Sequence, residues 1–281
     1  MKVLIIDGNN LVHRVFWVSK NQKTFNKYFH VYLFLASVKS YVQSFSPDIT
    51  LCVWDEKKSN ISNPRKDLYS QYKLNRDTEK TKNVHEQNGV IVGALKTLNV
   101  QSVYPLVYEA DDVIAILHQN VYKDENIRII TADKDMCQLV NKNTTVYDPI
   151  RKVLFTEENF TSLLGVSQQD FLLKKAILGD KSDNIEGVPG IGIKRLEKII
   201  NKELSLTEEQ TNVVKRNIQL MDLTLSMNCK DEVESVKTQV QNNNTYNIEA
   251  FKQLCIICSF EQIIHNIHVW ESLFNKNVEA F

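Results

Sequence analysis

Three short apolar runs, separated by helical patterns, place the strongest constraint on the fold of this chain. VLII (3–6), ITLCVW (49–54) and IRIIT (127–131) are rich in β-branched residues and have the length of strands that are buried on both faces. Between them, HVYLFLASVKSYVQSF (30–45) and VIVGALKTL (90–98) are amphipathic with the period of a helix. This alternation predicts an α/β fold built on a parallel sheet.

The pattern becomes mainly helical after about residue 156. TEENFTSLLG, QQDFLLKKAIL, KRLEKII, EEQTNVVKRNIQLMDLTL and IEAFKQLCIICSF all have helical periodicity, and QNNNTYN (241–247) is typical of a polar loop. We therefore predict an α/β N-terminal domain over 1–165 and a helical C-terminal domain over 166–281.

Acidic residues follow each predicted strand, and a further group precedes the apolar helix VIAIL. The set is Asp7, Asp55, Glu109, Asp111, Asp112, Asp133 and Asp135. Because the carboxyl ends of parallel strands meet at one edge, we expect these side chains to converge. Each alone has a structural explanation, since Asp7 could form a turn and Asp111 or Asp112 could cap a helix. Together they would repel one another unless cations neutralised them.

The chemistry of this set favours hard cations. It contains no histidine or cysteine, and all-oxygen ligation selects Mg²⁺ or Mn²⁺ over Zn²⁺. Two such ions suit in-line displacement at phosphorus. The chain has no G-x-S-x-G motif and no Walker P-loop, so other nucleophile classes are disfavoured.

The stretch GDKSDNIEGVPGIG (179–192) joins two aspartates, Asp180 and Asp183, to a glycine-rich turn. Backbone N–H groups in such a turn suit phosphate, whereas carboxylates repel phosphate unless a cation lies between them. The stretch therefore predicts a metal ion on one side and a phosphodiester on the other. The alternative is an ordinary turn between two helices.

Segment 56–88 is strongly basic. It contains Lys57, Lys58, Arg65, Lys66, Lys73, Arg76, Lys80 and Lys82, interleaved with Tyr69 and Tyr72. A solvated loop is one interpretation, and a surface for single-stranded nucleic acid is the other.

Composition sets the remaining bounds. The 281 residues carry zero formal net charge, which argues against a nucleic-acid partner unless the acids are occupied by cations. Five cysteines form no disulfide framework, and Cys255 and Cys258 lie in apolar surroundings that favour a buried core over metal or redox chemistry. With no signal-peptide pattern and no apolar run of about 20 residues, we expect a cytoplasmic protein without a membrane partner.

Four blocks carry a resemblance to a known family. IIDGNNLVHR, EADDVIAIL, TADKDMCQLV and GDKSDNIEGVPGIGIKRLEKII, in this order, resemble the signature blocks of the 5′ nuclease (flap endonuclease) superfamily. The chain is most similar in size to stand-alone phage-type 5′–3′ exonucleases with ribonuclease H activity. The resemblance covers residues 1 to about 225. It implies a PIN-like nuclease core, a helical arch at 56–88 and a helix–three-turn–helix at 178–200, with 1–165 as the catalytic 5′–3′ exonuclease domain and 166–281 as a DNA-binding domain.

The resemblance also implies roles for individual residues. The first metal site would use Asp7, Asp55, Glu109 and Asp111, and the second Asp112, Asp133, Asp135 and Asp180, with Asp183 nearby. Lys73 and Arg76 would be catalytic. DNA would be bound by Arg65, Tyr72, Lys73, Arg76, Gly187, Gly190, Gly192, Lys194 and Arg195. The glycine hairpin could hold K⁺.

The expected function is a structure-specific 5′–3′ exonuclease and flap endonuclease. Its substrates would be DNA flaps, nicked or gapped duplexes and RNA–DNA hybrids, cut by a two-metal mechanism that leaves a 5′-phosphate. The alternatives are a PIN-like ribonuclease and a non-catalytic DNA-junction binding module. WESLFNKNVEAF could dock on a sliding clamp or form a plain amphipathic helix. A single-strand-binding protein is a further candidate partner, and we expect a monomer.

Overall fold

A six-stranded sheet lies at the centre of the computed structural model, which describes residues 1–20, 26–55, 61–75, 84–241 and 245–275. The strands are β1 (Lys2–Asp7), β2 (Ile49–Val53), β3 (Gln101–Val103), β4 (Asn126–Ile130), β5 (Thr144–Asp148) and β6 (Val153–Phe155). Their order is β3-β2-β1-β4-β5-β6, and only β6 is antiparallel to its neighbour. The predicted parallel α/β sheet is confirmed.

Helices cover both faces of the sheet and form most of the chain after residue 156. In the N-terminal half they are α1 (Gly8–Lys20), α2 (Phe29–Phe45), α3 (Pro64–Leu68), α4 (Asn88–Thr97) and α5 (Ala110–Ile116). A π-helical turn (Leu117–Val121) follows α5, and a 3₁₀ helix (Lys134–Leu139) follows β4.

The remaining helices are α6 (Phe160–Leu164), α7 (Gln168–Leu178), α8 (Ile193–Ile200), α9 (Glu208–Met221), α10 (Lys230–Gln241), α11 (Ile248–Ile257), α12 (Glu261–His265) and α13 (Ile267–Phe274). A 3₁₀ helix (Ser226–Asn228) precedes α10. Two short antiparallel strands, β7 (Gly179–Asp180) and β8 (Ile185–Glu186), lie between α7 and α8.

The apolar run of the central strand β1 is explained by burial of both of its faces. Leu4 and Ile6 of β1 lie in the cluster formed with α1, α2 and α4, whereas Val3 and Ile5 lie in the cluster formed with α5 and α10. All four side chains are fully buried. Burial on both faces removes the polar alternation of a half-exposed strand and fixes β1 between its parallel neighbours.

The C-terminal helices join these same two clusters. Phe251 and Trp270 pack with the residues of α2, and Val236 packs with the residues of α5. Cys255 and Cys258 are buried in the first cluster as free thiols, in agreement with the core interpretation. Apolar contacts therefore cross the predicted boundary at residue 165, and the two-domain division stays a prediction. In the part of the chain that is described, no helix is long and apolar enough to cross a membrane.

Candidate active site

The carboxyl edge of the sheet brings the acids of three strands together. Asp7 ends β1 and accepts hydrogen bonds from the Thr131 hydroxyl at 2.8 Å and from the Asn10 backbone N–H at 2.9 Å. Asp55 lies two residues beyond β2 and accepts from the Ala110 backbone N–H at 2.9 Å. These bonds connect the ends of β1, β2 and β4 to the start of α5.

The turn at this edge requires a glycine. Gly8 begins α1 directly after Asp7, and a Cβ at this position would lie 2.8 Å from the Val53 carbonyl oxygen. The backbone of α1 therefore starts in close contact with β2. This close start places Asn9 beside Asp55, where its side-chain amide donates to the carboxylate at 3.1 Å.

Asp111 lies at the centre of the acidic edge. Burial raises the pKa of Asp111 well above its usual range, and the charges of Asp133, Asp7 and Asp55 raise it further. Burial likewise raises the pKa of Asp7 to about 7, against hydrogen bonds from Asn10 and Thr131 that lower it. A raised pKa means that the charged form of a carboxyl is unfavourable at its position, here because water is largely excluded and the neighbouring carboxylates repel it. A bound cation would relieve that repulsion.

Lys175 of α7 neutralises one part of this edge. Its ammonium forms an ion pair with Asp135 and lies 3.0 Å from Asp180 Oδ2. Burial, together with the charge of Asp133, raises the pKa of Asp135 to about 6 although Lys175 opposes the shift. The pKa of Asp180 falls to about 2 because hydrogen bonds from Ser182 and the Lys175 charge outweigh its burial.

Lys73 neutralises a second part. Its ammonium lies 2.7 Å from Glu109 Oε2 and 3.8 Å from Asp183 Oδ2, and its backbone N–H donates to the Asp183 carbonyl at 2.8 Å. Burial raises the pKa of Glu109, but Lys73 and Arg65 outweigh that effect and hold it below its usual value. Lys73 thus connects the basic segment to both the EADD block and the glycine stretch.

Three residues assigned to metal or DNA from the sequence are paired inside the protein in this arrangement. Asp112 is fully buried, and its two oxygens accept a forked pair of hydrogen bonds from Arg65 at 2.5 and 2.8 Å. In this structure the Asp112 carboxylate therefore balances an arginine, and its assignment to a metal site and that of Arg65 to DNA binding stay predictions. Tyr72 is also buried, and its hydroxyl donates to Glu109 at 2.9 Å, so its assignment to DNA binding likewise stays a prediction.

The other acids fit hard divalent cations. They are Asp7, Asp55, Asp111, Asp133, Asp135, Asp180 and, next to Lys73, Glu109 and Asp183. All of the donors are oxygen, and burial, with the charges of neighbouring acids added to it, raises the pKa of both Asp7 and Asp111. Within the described residues no three of these groups already converge as ligands of one ion. Lys73 and Lys175 hold four of them in ion pairs.

The glycine stretch forms a surface next to these acids. β7 and β8 turn Asp180 and Asp183 toward the acidic edge, the following turn exposes Gly190 and Gly192, and the first turn of α8 exposes Lys194 and Arg195. Gly187 is needed for packing, since a Cβ there would lie 2.4 Å from the Leu178 carbonyl oxygen, and its role in DNA binding stays a prediction. Helices α7 and α8 flank the stretch, as the helical patterns of QQDFLLKKAIL and KRLEKII on its two sides predict.

Two buried polar residues position the site and were missed from the sequence. Asn217 of α9 donates from its side-chain amide to the carbonyls of Ala176 and Glu186, which fixes the glycine stretch. Glu232 of α10 is fully buried and accepts from the N–H groups of Leu106 and Val107, just before Glu109. The one sequence signal for Glu232 would have been an acid at a position where the helical period of α10 predicts a buried, apolar residue. Arg76, Lys57, Lys58, Lys80 and Lys82 lie outside the described residues, as does the end of WESLFNKNVEAF.

Comparison with known proteins decides the family. Residues 2–165 match the family model described as "5′-3′ exonuclease, N-terminal resolvase-like domain". The chain belongs to the 5′–3′ exonuclease family. The match confirms the resemblance and makes the chain a nuclease of the superfamily that acts on phosphodiester bonds.

Relatives extend this likeness beyond residue 165, over most of the chain. The 5′–3′ exonuclease of Mycoplasmopsis pulmonis is 28% identical and covers 94% of this chain and 95% of its own length. The flap endonuclease Xni of Shewanella denitrificans is 33% identical, over 71% of this chain and 77% of its own. In fold, the chain resembles the bacteriophage T5 D15 flap endonuclease, solved with DNA and metal ions. The TM-score is 0.68 at 23% identity, covering 86% of this chain and 98% of that one.

Proposed function

We propose that this member of the 5′–3′ exonuclease family is a structure-specific 5′–3′ exonuclease and flap endonuclease that cuts DNA at flaps, nicks and gaps. One observation carries the proposal: the acidic edge of the sheet lies next to an exposed, basic glycine turn, and Lys175 and Lys73 join the two. The names of the relatives support the same activities. A ribonuclease that used the sheet alone would have no need of this adjoining surface.

The residues divide into two groups for substrate binding and chemistry. Divalent cations, held by Asp7, Asp55 and Asp111 and by Asp133, Asp135 and Asp180, would activate water and neutralise charge on the scissile phosphate. Gly190, Gly192, Lys194 and Arg195 would contact duplex phosphates, which position DNA without reading its sequence. The ammonium of Lys73 would meet negative charge that develops on the phosphate oxygens. K⁺ at the glycine turn and cleavage of RNA–DNA hybrids belong to the same proposal.

Cleavage assays with three substrates test this function. A labelled DNA 5′ flap should be cut at its junction in Mg²⁺ to give a 5′-phosphate end, and the RNA strand of an RNA–DNA hybrid should also be cut. Single-stranded RNA should be cut much more slowly, and the reverse order would support the PIN-like ribonuclease.

A matched pair of variants then separates the enzyme from a junction-binding module. Asp133→Asn should abolish cleavage while flap binding in Ca²⁺ survives, and Asp124→Asn, which removes an acid distant from the edge, should change neither. Flap binding without cleavage in the wild-type protein, at any Mg²⁺ or Mn²⁺ concentration, would establish the non-catalytic alternative.

A further inference from the structure

Residues 69–75, called here the lysine segment, lie along the β7–β8 hairpin (179–186) in the opposite chain direction. Three hydrogen bonds to backbone carbonyls join the two: from the Asn184 side-chain amide to Gln71 at 2.7 Å, from the Lys73 backbone N–H to Asp183 at 2.8 Å and from the Asn75 side-chain amide to Lys181 at 3.0 Å. Because the hairpin also carries Asp180 and Asp183, these bonds fix the lysine segment relative to two acids of the edge.

Lys73 has a left-handed backbone within this contact. Its φ is 55°, a conformation that is unfavourable for a lysine and that persists only where the surrounding structure holds it. The backbone conformation sets the direction of the Cα–Cβ bond, and in this one the Lys73 ammonium lies 2.7 Å from Glu109 Oε2. Relaxation of Lys73 to a right-handed or extended backbone would turn its ammonium away from the acidic edge.

The contacts that dock the lysine segment differ from those that orient Lys73. Tyr72 is buried in a cluster with Ile185 and Leu220, so its side chain keeps the segment on the hairpin when a single hydrogen bond is lost. The Asn184 bond holds the peptide group two residues before Lys73, and this bond restrains the backbone that leads into the left-handed position. Loss of the Asn184 amide should therefore release the conformation of Lys73 without detaching the segment.

We propose that Asn184 is a positioning residue for cleavage. Through the Gln71 carbonyl it holds the left-handed backbone of Lys73, and so aims the Lys73 ammonium at the scissile phosphate. This inference rests on the proposed function, in which Lys73 meets charge that develops on the phosphate, and it adds an uncharged residue that acts only through the lysine.

A glycine at position 184 tests the role of the side chain. Asn184→Gly removes the donor but keeps the backbone, since φ at this position is 57° and glycine adopts such values without strain. Single-turnover cleavage of a DNA 5′ flap at saturating enzyme should slow by about tenfold, while flap affinity in Ca²⁺ changes by less than about twofold. The matched control is Asn99→Gly, a second left-handed asparagine (φ 56°) in the turn before β3, which should keep the wild-type rate. A wild-type rate in Asn184→Gly would overturn the proposal.

A double-mutant cycle shows whether Asn184 acts through Lys73. Lys73→Ala has no ammonium to aim, so the addition of Asn184→Gly should change its residual rate by less than about twofold. A merely structural role of Asn184 would slow cleavage by the same factor with and without Lys73. Equal losses in the two backgrounds would therefore refute the assignment.

Hydrogen exchange tests the contact in the free protein. The peptide that covers 69–75 should exchange its amide hydrogens several-fold faster in Asn184→Gly than in the wild type, because the bond from Lys73 to Asp183 loses its neighbouring support, and Asn99→Gly should leave this peptide unchanged. Unchanged exchange in Asn184→Gly would also overturn the proposal. A wild-type protein that cuts no flap would instead refute the proposed function, and the exchange rates would still decide whether Asn184 holds the lysine segment.

Discussion

The buried pair of Arg65 and Asp112 gives the sharpest test of the site geometry. The side chains are 7% and 0% exposed and are joined by two hydrogen bonds, and the Arg65 Nε–H donates to the Leu220 carbonyl at 2.8 Å. Arg65→Met keeps most of the side-chain volume but leaves the Asp112 carboxylate without its partner. Loss of one member of a buried pair costs about 3–5 kcal/mol of unfolding free energy.

A double-mutant cycle isolates the pair from the rest of the site. When both charges are removed in Arg65→Met/Asp112→Leu, no unpaired ion remains, although the Leu220 carbonyl and the Glu109 N–H lose their side-chain partners. The double variant should therefore be more stable than the sum of the single changes predicts, by at least about 2 kcal/mol. Urea denaturation at pH 7 measures all four proteins.

The control is the Arg151–Asp148 pair, in which the arginine side chain is 54% exposed. Arg151→Met should cost less than Arg65→Met, because solvent screens the arginine end of the pair and the buried Asp148 carboxylate keeps hydrogen bonds from the backbone N–H groups of Ile150 and Arg151. If Arg65→Met unfolds at the wild-type urea midpoint but loses affinity for flap DNA, then Arg65 is a DNA ligand as the sequence suggested, and the structural account of the pair is wrong.

Three further predictions follow from single residues. Lys73→Ala should slow single-turnover cleavage by about a hundredfold or more with flap affinity changed only several-fold, whereas Lys66→Ala, an exposed lysine of the same segment, should keep the rate; weak binding with normal chemistry would make the segment an electrostatic guide. Lys194→Ala should weaken binding to all duplex sequences alike and lower the salt slope by about one unit, and a sequence-selective loss in filter binding would show another kind of contact. His118 has a pKa lowered to about 4 by burial. The unfolded chain therefore binds more protons between pH 6.5 and 4, and stability should fall by about 3 kcal/mol as the pH falls through this window. His118→Gln should flatten that part of a urea-midpoint-against-pH curve, and an unchanged slope would show that another group titrates.

The strands and the acidic edge could be predicted because they depend on local signals. A fully apolar run followed by an aspartate marks a strand end in any parallel sheet, so Asp7 and Asp55 were found from the sequence. Strands β3 and β5 were missed because their local signals are weak: β3 has three residues at the edge of the sheet, and β5, with the sequence TTVYD, has a single aliphatic residue. Strands this short or this polar carry too little apolar sequence to be recognised alone.

The partners of the charged residues could not be predicted, because they depend on contacts between distant segments. Arg65 and Asp112 are 47 residues apart, and Lys175 reaches Asp135 across 40 residues. A lysine in an amphipathic helix and an arginine in a basic segment are usually solvated. The sequence context of Lys175 and Arg65 therefore predicts exposed side chains, whereas the structure holds both in ion pairs. A family resemblance transfers a role to a position, but it does not show which neutralising partner that position has in this chain.

Lys73 and Lys175 have a consequence for the order in which the active complex assembles. Each lysine balances two carboxylates, so the acidic edge can fold without waiting for ions from solution. Divalent ions then enter in competition with an ammonium group that is already present. Because incoming DNA would offer a displaced lysine a phosphate as a new partner, we expect DNA and metal each to strengthen the binding of the other. Metal binding should then be weakest in the free protein and strongest once a strand has arrived.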